Sequence, residues 1–291
     1  MLRRTFLTGA ACATAVPLGA VTPAPAFGDA TFRREIAGLE RASRGRLGVA
    51  ILDTATGARF ATRGDERFPM CSTFKLILAA AILTRVDRGP DRLDRRIAVA
   101  KSDIISNSPF TETRVGGHAT VAELCRATMT QSDNAAANLL LPAVSGPAGI
   151  TRFVRALGDA RTRLDRIEPE LNDVGPGDPR DTTTPVAMVG LLQKLTLGSA
   201  LKPASRALLI GWLVANKTGD LRIRGGVPRN WRAGDKTGTA ERRHNNDVAI
   251  LWPPARGPLL VASYIADSPL DMAAANPIHA RLGALIARAV A

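Results

Sequence analysis

Apolar residues along this chain follow two different periods. Residues 30–44 carry them at the three- and four-residue spacing of an amphipathic helix. The segments RLGVAILDTATG (46–57) and ARFATRGDERF (58–68) read as two strands, and Thr56-Gly57 between them is a hairpin signal. From Pro69 to about Val214 the spacing is helical, interrupted by loops containing Pro and Gly. Three strand-like segments follow: WRAGDKTGT (231–239), NDVAILWPP (246–254) and PLLVASYIAD (258–267). Residues 271–291 close the chain as a helix.

Strands at both ends with helices between them predict a discontinuous α+β layout. Residues 27–68 and 215–291 would share one antiparallel sheet flanked by helices, and residues 69–214 would form an all-helical domain beside it. A cleft between two such units is a favoured place for a site. The stretch RIEPELNDVGPGDPRDTTTP (166–185) has four Pro, two Gly and several acids without periodicity. A loop of that length in a compact fold is usually functional.

Residues 1–26 have a basic start, a weakly apolar middle and a small-residue end at Ala24-Pro25-Ala26, the layout of an export signal. Arg3-Arg4 followed by Phe6-Leu7 resembles a twin-arginine signal, so a periplasmic or secreted protein is expected. The apolar segment before Cys12 is too short for a lipid anchor, and no later run is long enough to span a membrane. The formal charge of +13 falls to +11 without Arg3 and Arg4. Nucleic-acid binding does not follow, because Arg is scattered, aromatics are 4% and no DNA or RNA motif is present. Cys71 and Cys125 each lie in, or at the start of, an apolar helical run, where a lone Cys acts as a small hydrophobe. His118, His244 and His279 show no metal-ligand spacing and read as surface or loop residues, so no metal or cofactor is implied.

The run RFPMCSTFKLILAAAIL (67–83) holds a charge that an apolar helix would not carry idly. Ser72 could simply cap the helix, and Lys75 could snorkel. Yet Leu76 to Leu83 has no other polar side chain, and the chain has six Lys against 33 Arg. Lys, unlike Arg, can lose its proton when desolvated and so activate a neighbouring hydroxyl. Ser132-Asp133-Asn134 before an apolar helical run could be a capping sequence. Lys236-Thr237-Gly238-Thr239 could be a solvent-facing strand with a Gly bulge. A second Lys-Thr-Gly, at 217–219, directly follows a helical run and reads as a helix-ending turn.

Taken in order, Ser72-x-x-Lys75, Ser132-Asp133-Asn134 and Lys236-Thr237-Gly238 resemble the three motifs of serine β-lactamases and penicillin-binding proteins. Glu168-Pro169-Glu170-Leu171-Asn172 resembles part of the omega loop of the class A β-lactamases, placed here at 166–181. The likeness runs from about residue 30 to the C-terminus. It implies the β-lactamase-like fold, a cis bond before Pro169, a cofactor-free monomer and a small-molecule β-lactam substrate, with antibiotic resistance as the outcome. Ser72 would be the nucleophile, Lys75 part of its activating network, and Ser132 the proton relay to the leaving nitrogen. Asn134 would bind the substrate's amide. Lys236, Thr237 and Thr239 would hold its carboxylate, with Arg222 beside it. The N–H groups of Ser72 and Thr239 would form the oxyanion hole. Glu168, with Asn172, would activate the water that hydrolyses the acyl-enzyme, and Arg166 and Asp181 would pin the loop's ends.

Some positions depart from that family. Asn107 replaces an aromatic residue before Ser108-Pro109. Ala240 and Ala79 stand where relatives place cysteine partners, so both thiols are expected free. A D-alanyl-D-alanine carboxypeptidase is the rival reading, and Glu168 with Asn172 argues against it.

Overall fold

The computed structural model describes residues 27–240 and 243–291. The expectations about residues 1–26 lie outside that range. In chain order the strands are β1 (Arg46–Asp53), β2 (Arg59–Thr62), β3 (Phe68–Pro69), β4 (Arg96–Ala98), β5 (His118–Thr120), β6 (Thr182–Thr183), β7 (Arg232–Ala240), β8 (His244–Trp252) and β9 (Leu259–Ala266). The helices are α1 (Ala30–Ser43), α2 (Phe74–Arg88), α3 (Val121–Thr130), α4 (Asn134–Leu140), α5 (Gly146–Ala156), α6 (Pro185–Thr196), α7 (Pro203–Ala215), α8 (Ile223–Gly226) and α9 (Met272–Ala289).

The main sheet is antiparallel, in the order β2-β1-β9-β8-β7, so the first and last parts of the chain interleave. Side chains alternate across it. Leu47, Val49 and Ile51 of β1 join Ala249, Leu251, Val261 and Ile265 in a core with Phe32 and Ile36 of α1 and Ile278, Leu282 and Ile286 of α9. The opposite face presents Ala50, Leu52, Val248, Ile250, Leu260, Ala262 and Tyr264 to the larger core built on α2. Covering both faces explains why these strands read as nearly continuous apolar runs.

Helix α2 is buried from Phe74 to Thr84, apolar all round except at Lys75 and its last turn. Two short ladders accompany the helices. β3 pairs with β6, and β4 pairs with β5. The first joins the exit of the 166–181 loop to the segment just before Ser72. The middle of the chain is also not confined to one side, since α6 packs on β1 and β9.

The histidine expectation is corrected. His118 is exposed, but His244 and His279 are 2% and 0% exposed. His279 stands between Ser263 Oγ (2.9 Å from Nδ1) and Asn245 O (3.1 Å from Nε2). Burial, with Arg222 nearby, pushes its pKa down to about 3, so the ring is neutral. A neutral imidazole with two partners is acceptable in a core, which apolar periodicity alone does not reveal.

Candidate active site

Strand β7 passes close to the start of α2, and Gly238 permits it. A Cβ there would lie 2.6 Å from Met70 O and 3.2 Å from Ser72 N. Gly238 therefore serves a close approach and not a bulge, since the β7–β8 register runs unbroken from Arg232↔Trp252 to Ala240↔His244. From β8, Asn246 Nδ2 donates to Pro69 O and Met70 O at 2.9 and 3.2 Å, fixing the turn before the serine. Cys71 adopts φ +44, a left-handed backbone that costs a non-glycine residue roughly 1–2 kcal/mol. Ser72 follows in a single 3₁₀ turn, Cys71–Thr73. It caps no helix: Thr73 holds the N-cap of α2, without a side-chain bond. The Ser72 hydroxyl instead donates to Glu168 Oε1 at 3.2 Å.

Lys75 is fully buried. Its ammonium lies 3.0 Å from Glu168 Oε1 and donates to Ser132 O at 2.8 Å and Asn134 Oδ1 at 2.5 Å, with Ser132 Oγ at 3.4 Å. Burial lowers its pKa from the ordinary lysine value against the opposing pull of Glu168. Sequence spacing puts Lys75 on the face of Ser72, yet its link to that hydroxyl runs through Glu168.

The 166–181 loop delivers Glu168. Asp181 ties its two ends, accepting from Arg166 Nε at 2.6 Å and from the backbone N–H groups of Asp165 and Arg166 at 2.7 and 2.9 Å. The Glu168–Pro169 peptide is cis. Asn172 Nδ2 donates to Glu168 Oε2 at 2.6 Å, while Asn172 Oδ1 is buried without a protein partner. Asn138 grips the same residue by its backbone. Its Nδ2 donates to Glu168 O at 2.8 Å, and its Oδ1 accepts from Glu168 N at 3.1 Å. Sequence reading missed Asn138 because it sits mid-helix in an apolar run with no motif around it. Midway along the loop, Arg243 donates to Asp173 Oδ1 at 3.0 Å.

Ser132, at φ +58, and Asn107, at φ +57, face each other in left-handed backbone. Asn107 Nδ2 donates to Ser132 O at 2.9 Å, and Asn134 N donates to Asn107 O at 2.9 Å. Asp133 is the capping member of the Ser-Asp-Asn run, accepting from Ala136 N at 2.8 Å. Asn134 spans the cleft wall, from Lys75 to Ser106 O, to which its Nδ2 donates at 2.8 Å.

Lys236 is fully buried and donates to Ser132 Oγ at 3.1 Å and Thr237 O at 2.9 Å. Burial and the neighbouring Lys75 hold its pKa well below the usual lysine value. Behind it, Asp235 takes Arg224 at 2.8 Å. Arg222 is 1% exposed, and its guanidinium is spent on Asn276 Oδ1 (2.9 Å), Gly238 O (3.1 Å), Asn246 O (2.5 Å) and Thr239 Oγ1 (2.7 Å). Its contact with the cleft thus runs through Thr239. Gly219 of the second Lys-Thr-Gly is not a left-handed helix terminator. A Cβ there would lie 1.6 Å from Asp235 Oδ2, so the residue is small because that strand is close.

The chain matches the model of the Beta-lactamase enzyme family over residues 31–290. It is 45% identical to β-lactamase L2 of Stenotrophomonas maltophilia over 301 aligned residues, covering 100% of this chain and 99% of that one. It is 45% identical to β-lactamase CTX-M-8 of Citrobacter amalonaticus, covering 90% and 89% of the two chains. Among solved structures, an ancestral class A β-lactamase (GNCA) superposes with TM-score 0.87 at 58% identity, covering 89% of this chain and 99% of its own. A β-lactamase of Xanthomonas campestris superposes with TM-score 0.88 at 48% identity, covering 90% and 98%. With Ser72, the buried Lys75 and Lys236 and the carboxylate of Glu168 assembled in one cleft on this fold, the chain belongs to the class A serine β-lactamases.

Proposed function

We propose that the protein hydrolyses the β-lactam amide of penicillins and cephalosporins through an acyl-enzyme on Ser72. In acylation Ser72 Oγ attacks the lactam carbonyl carbon, and the C–N bond breaks as the acyl–oxygen bond forms. The Ser72 proton passes to Glu168, then through Lys75 and Ser132 to the leaving nitrogen, along contacts of 3.2, 3.0 and 3.4 Å. The N–H groups of Ser72 and Thr239 receive the oxyanion. Lys236, Thr237 and Thr239 hold the substrate carboxylate, Arg222 acting through Thr239, and Asn134 meets the substrate amide. In deacylation Glu168 takes a proton from water, and Asn172 offers its unpartnered Oδ1 to the same water.

The single observation that carries this reading is the Glu168 carboxylate against Ser72, held by Asn172 at 2.6 Å. A transpeptidase, which passes its acyl group to an amine, has no use for a water-activating carboxylate at that place. Residues 1–26 support export to the periplasm or beyond, with the twin-arginine pair as the route. We also propose that residues 27–68 with 215–291, and residues 69–214, act as two units flanking the cleft of a monomer. No described helix is long and apolar enough to cross a membrane. Nitrocefin turnover by the purified protein tests the reading; a stable adduct without turnover would contradict it.

A further inference from the structure

The second Lys-Thr-Gly, at 217–219, is not a bystander. Lys217 is exposed, but Thr218 Oγ1 lies 2.5 Å from Thr237 Oγ1. Chemistry orders the protons behind this pair. Asp235, paired with Arg224, only accepts, and Asn216 Nδ2 donates to it at 2.7 Å. The Asn216 amide is therefore oriented with Oδ1 toward Thr218, where it accepts from Thr218 N at 3.1 Å and Thr218 Oγ1 at 2.9 Å. With Thr218's hydrogen on Asn216, the short contact is made by the Thr237 hydroxyl donating to Thr218. At rest, then, Thr237 is not a donor toward the cleft.

We propose that Thr218 is a positioning residue for substrate binding, acting through Thr237 as a two-hydroxyl relay. When an anionic carboxylate arrives beside Lys236, both hydroxyls reverse. Thr218 turns from Asn216 to donate to Thr237, and Thr237 turns to donate to the carboxylate. Asn216 Oδ1 keeps the Thr218 N–H, so no buried acceptor is stranded. A hydroxyl that accepts one hydrogen bond is the stronger donor of the next. The inference rests on the reading of Lys236 and Thr237 as the carboxylate's holders.

The test is the kinetics of Thr218→Val, Thr218→Ser, Thr237→Val and the double Val variant with benzylpenicillin, each first shown by circular dichroism to be folded. The pair bond exists both at rest and in the complex, so Thr218→Val should cost binding only the polarisation that Thr218 lends the Thr237–carboxylate bond. KM should rise roughly twofold, with a smaller change in kcat. Thr218→Ser should restore the wild-type KM. The double variant should match Thr237→Val alone, because the relay runs through Thr237; a route through Asn216 and Asp235 would leave a separate effect of Thr218. An unchanged KM in Thr218→Val, or a double variant that multiplies the two single effects, overturns the relay. An unchanged KM in Thr237→Val would instead overturn the underlying reading of the carboxylate site.

Discussion

Glu168 Oε1 accepts the Ser72 hydroxyl at 3.2 Å although 96 residues separate them in sequence. The contact needs the loop pinned at Asp181, the backbone grip of Asn138, and a serine left uncapped at a strained turn. It puts the carboxylate, and not Lys75, in direct contact with the Ser72 hydroxyl.

The two Lys-Thr-Gly copies should differ sharply at their lysines. Lys236→Ala removes a buried amine 3.1 Å from Ser132 Oγ and should lower kcat/KM for benzylpenicillin by orders of magnitude. Lys217→Ala should be nearly silent, since that side chain is exposed. The opposite ranking in steady-state assays would displace Lys236 from the site.

The copies also show what was legible in advance. The α+β layout and the order of strands along the chain could be read from periodicity, and the three motifs from their resemblance to those of a known family, because each is local. Asn138 and Asn246 could not, since they act by folding distant backbone into place. Gly238 and Gly219 looked like a bulge and a terminator. Their reason is a tertiary approach that no neighbouring residue announces. His279 looked like a surface residue because its partners, Ser263 and Asn245, come from β8 and β9.

Lys236 should set an alkaline limit on binding. Its pKa is held below the ordinary lysine value, so its charge is present at low pH and is lost as pH rises through that lowered value. KM for benzylpenicillin should then climb on the alkaline side at a pH below the usual lysine pKa. Arg keeps its charge there, so Lys236→Arg should move the rise to higher pH. A pH–KM profile identical in the two proteins would rule out Lys236 as the titrating group.

Asn138→Ala should loosen Glu168 without touching substrate. Two bonds to the backbone of the buried Glu168 are lost, so a stability loss of roughly 1–3 kcal/mol is expected. Deacylation should slow more than acylation. Denaturant midpoints and pre-steady-state rates measure both, and a variant with wild-type deacylation would make Asn138 purely structural.

Cys71 and Cys125 are free and fully buried, and burial pushes both thiols' pKa up. A chromogenic disulfide should therefore react slowly with the native protein. Under denaturing, non-reducing conditions it should find two thiols in residues 27–291. A count of zero would mean that they pair.

The most direct test of the whole account is intact-protein mass spectrometry of Glu168→Gln mixed with benzylpenicillin. The amide keeps the shape but loses the base, worth roughly 10²–10⁴ in rate. Acylation slows as well, because Glu168 also takes the Ser72 proton, but Lys75 and Ser132 remain to carry that proton. Deacylation has no base besides Glu168, so the variant should gain one intact penicillin mass on Ser72 while the wild type shows little or none. A variant that turns over benzylpenicillin at the wild-type rate without an adduct, or a wild type that holds the adduct for hours, would contradict it.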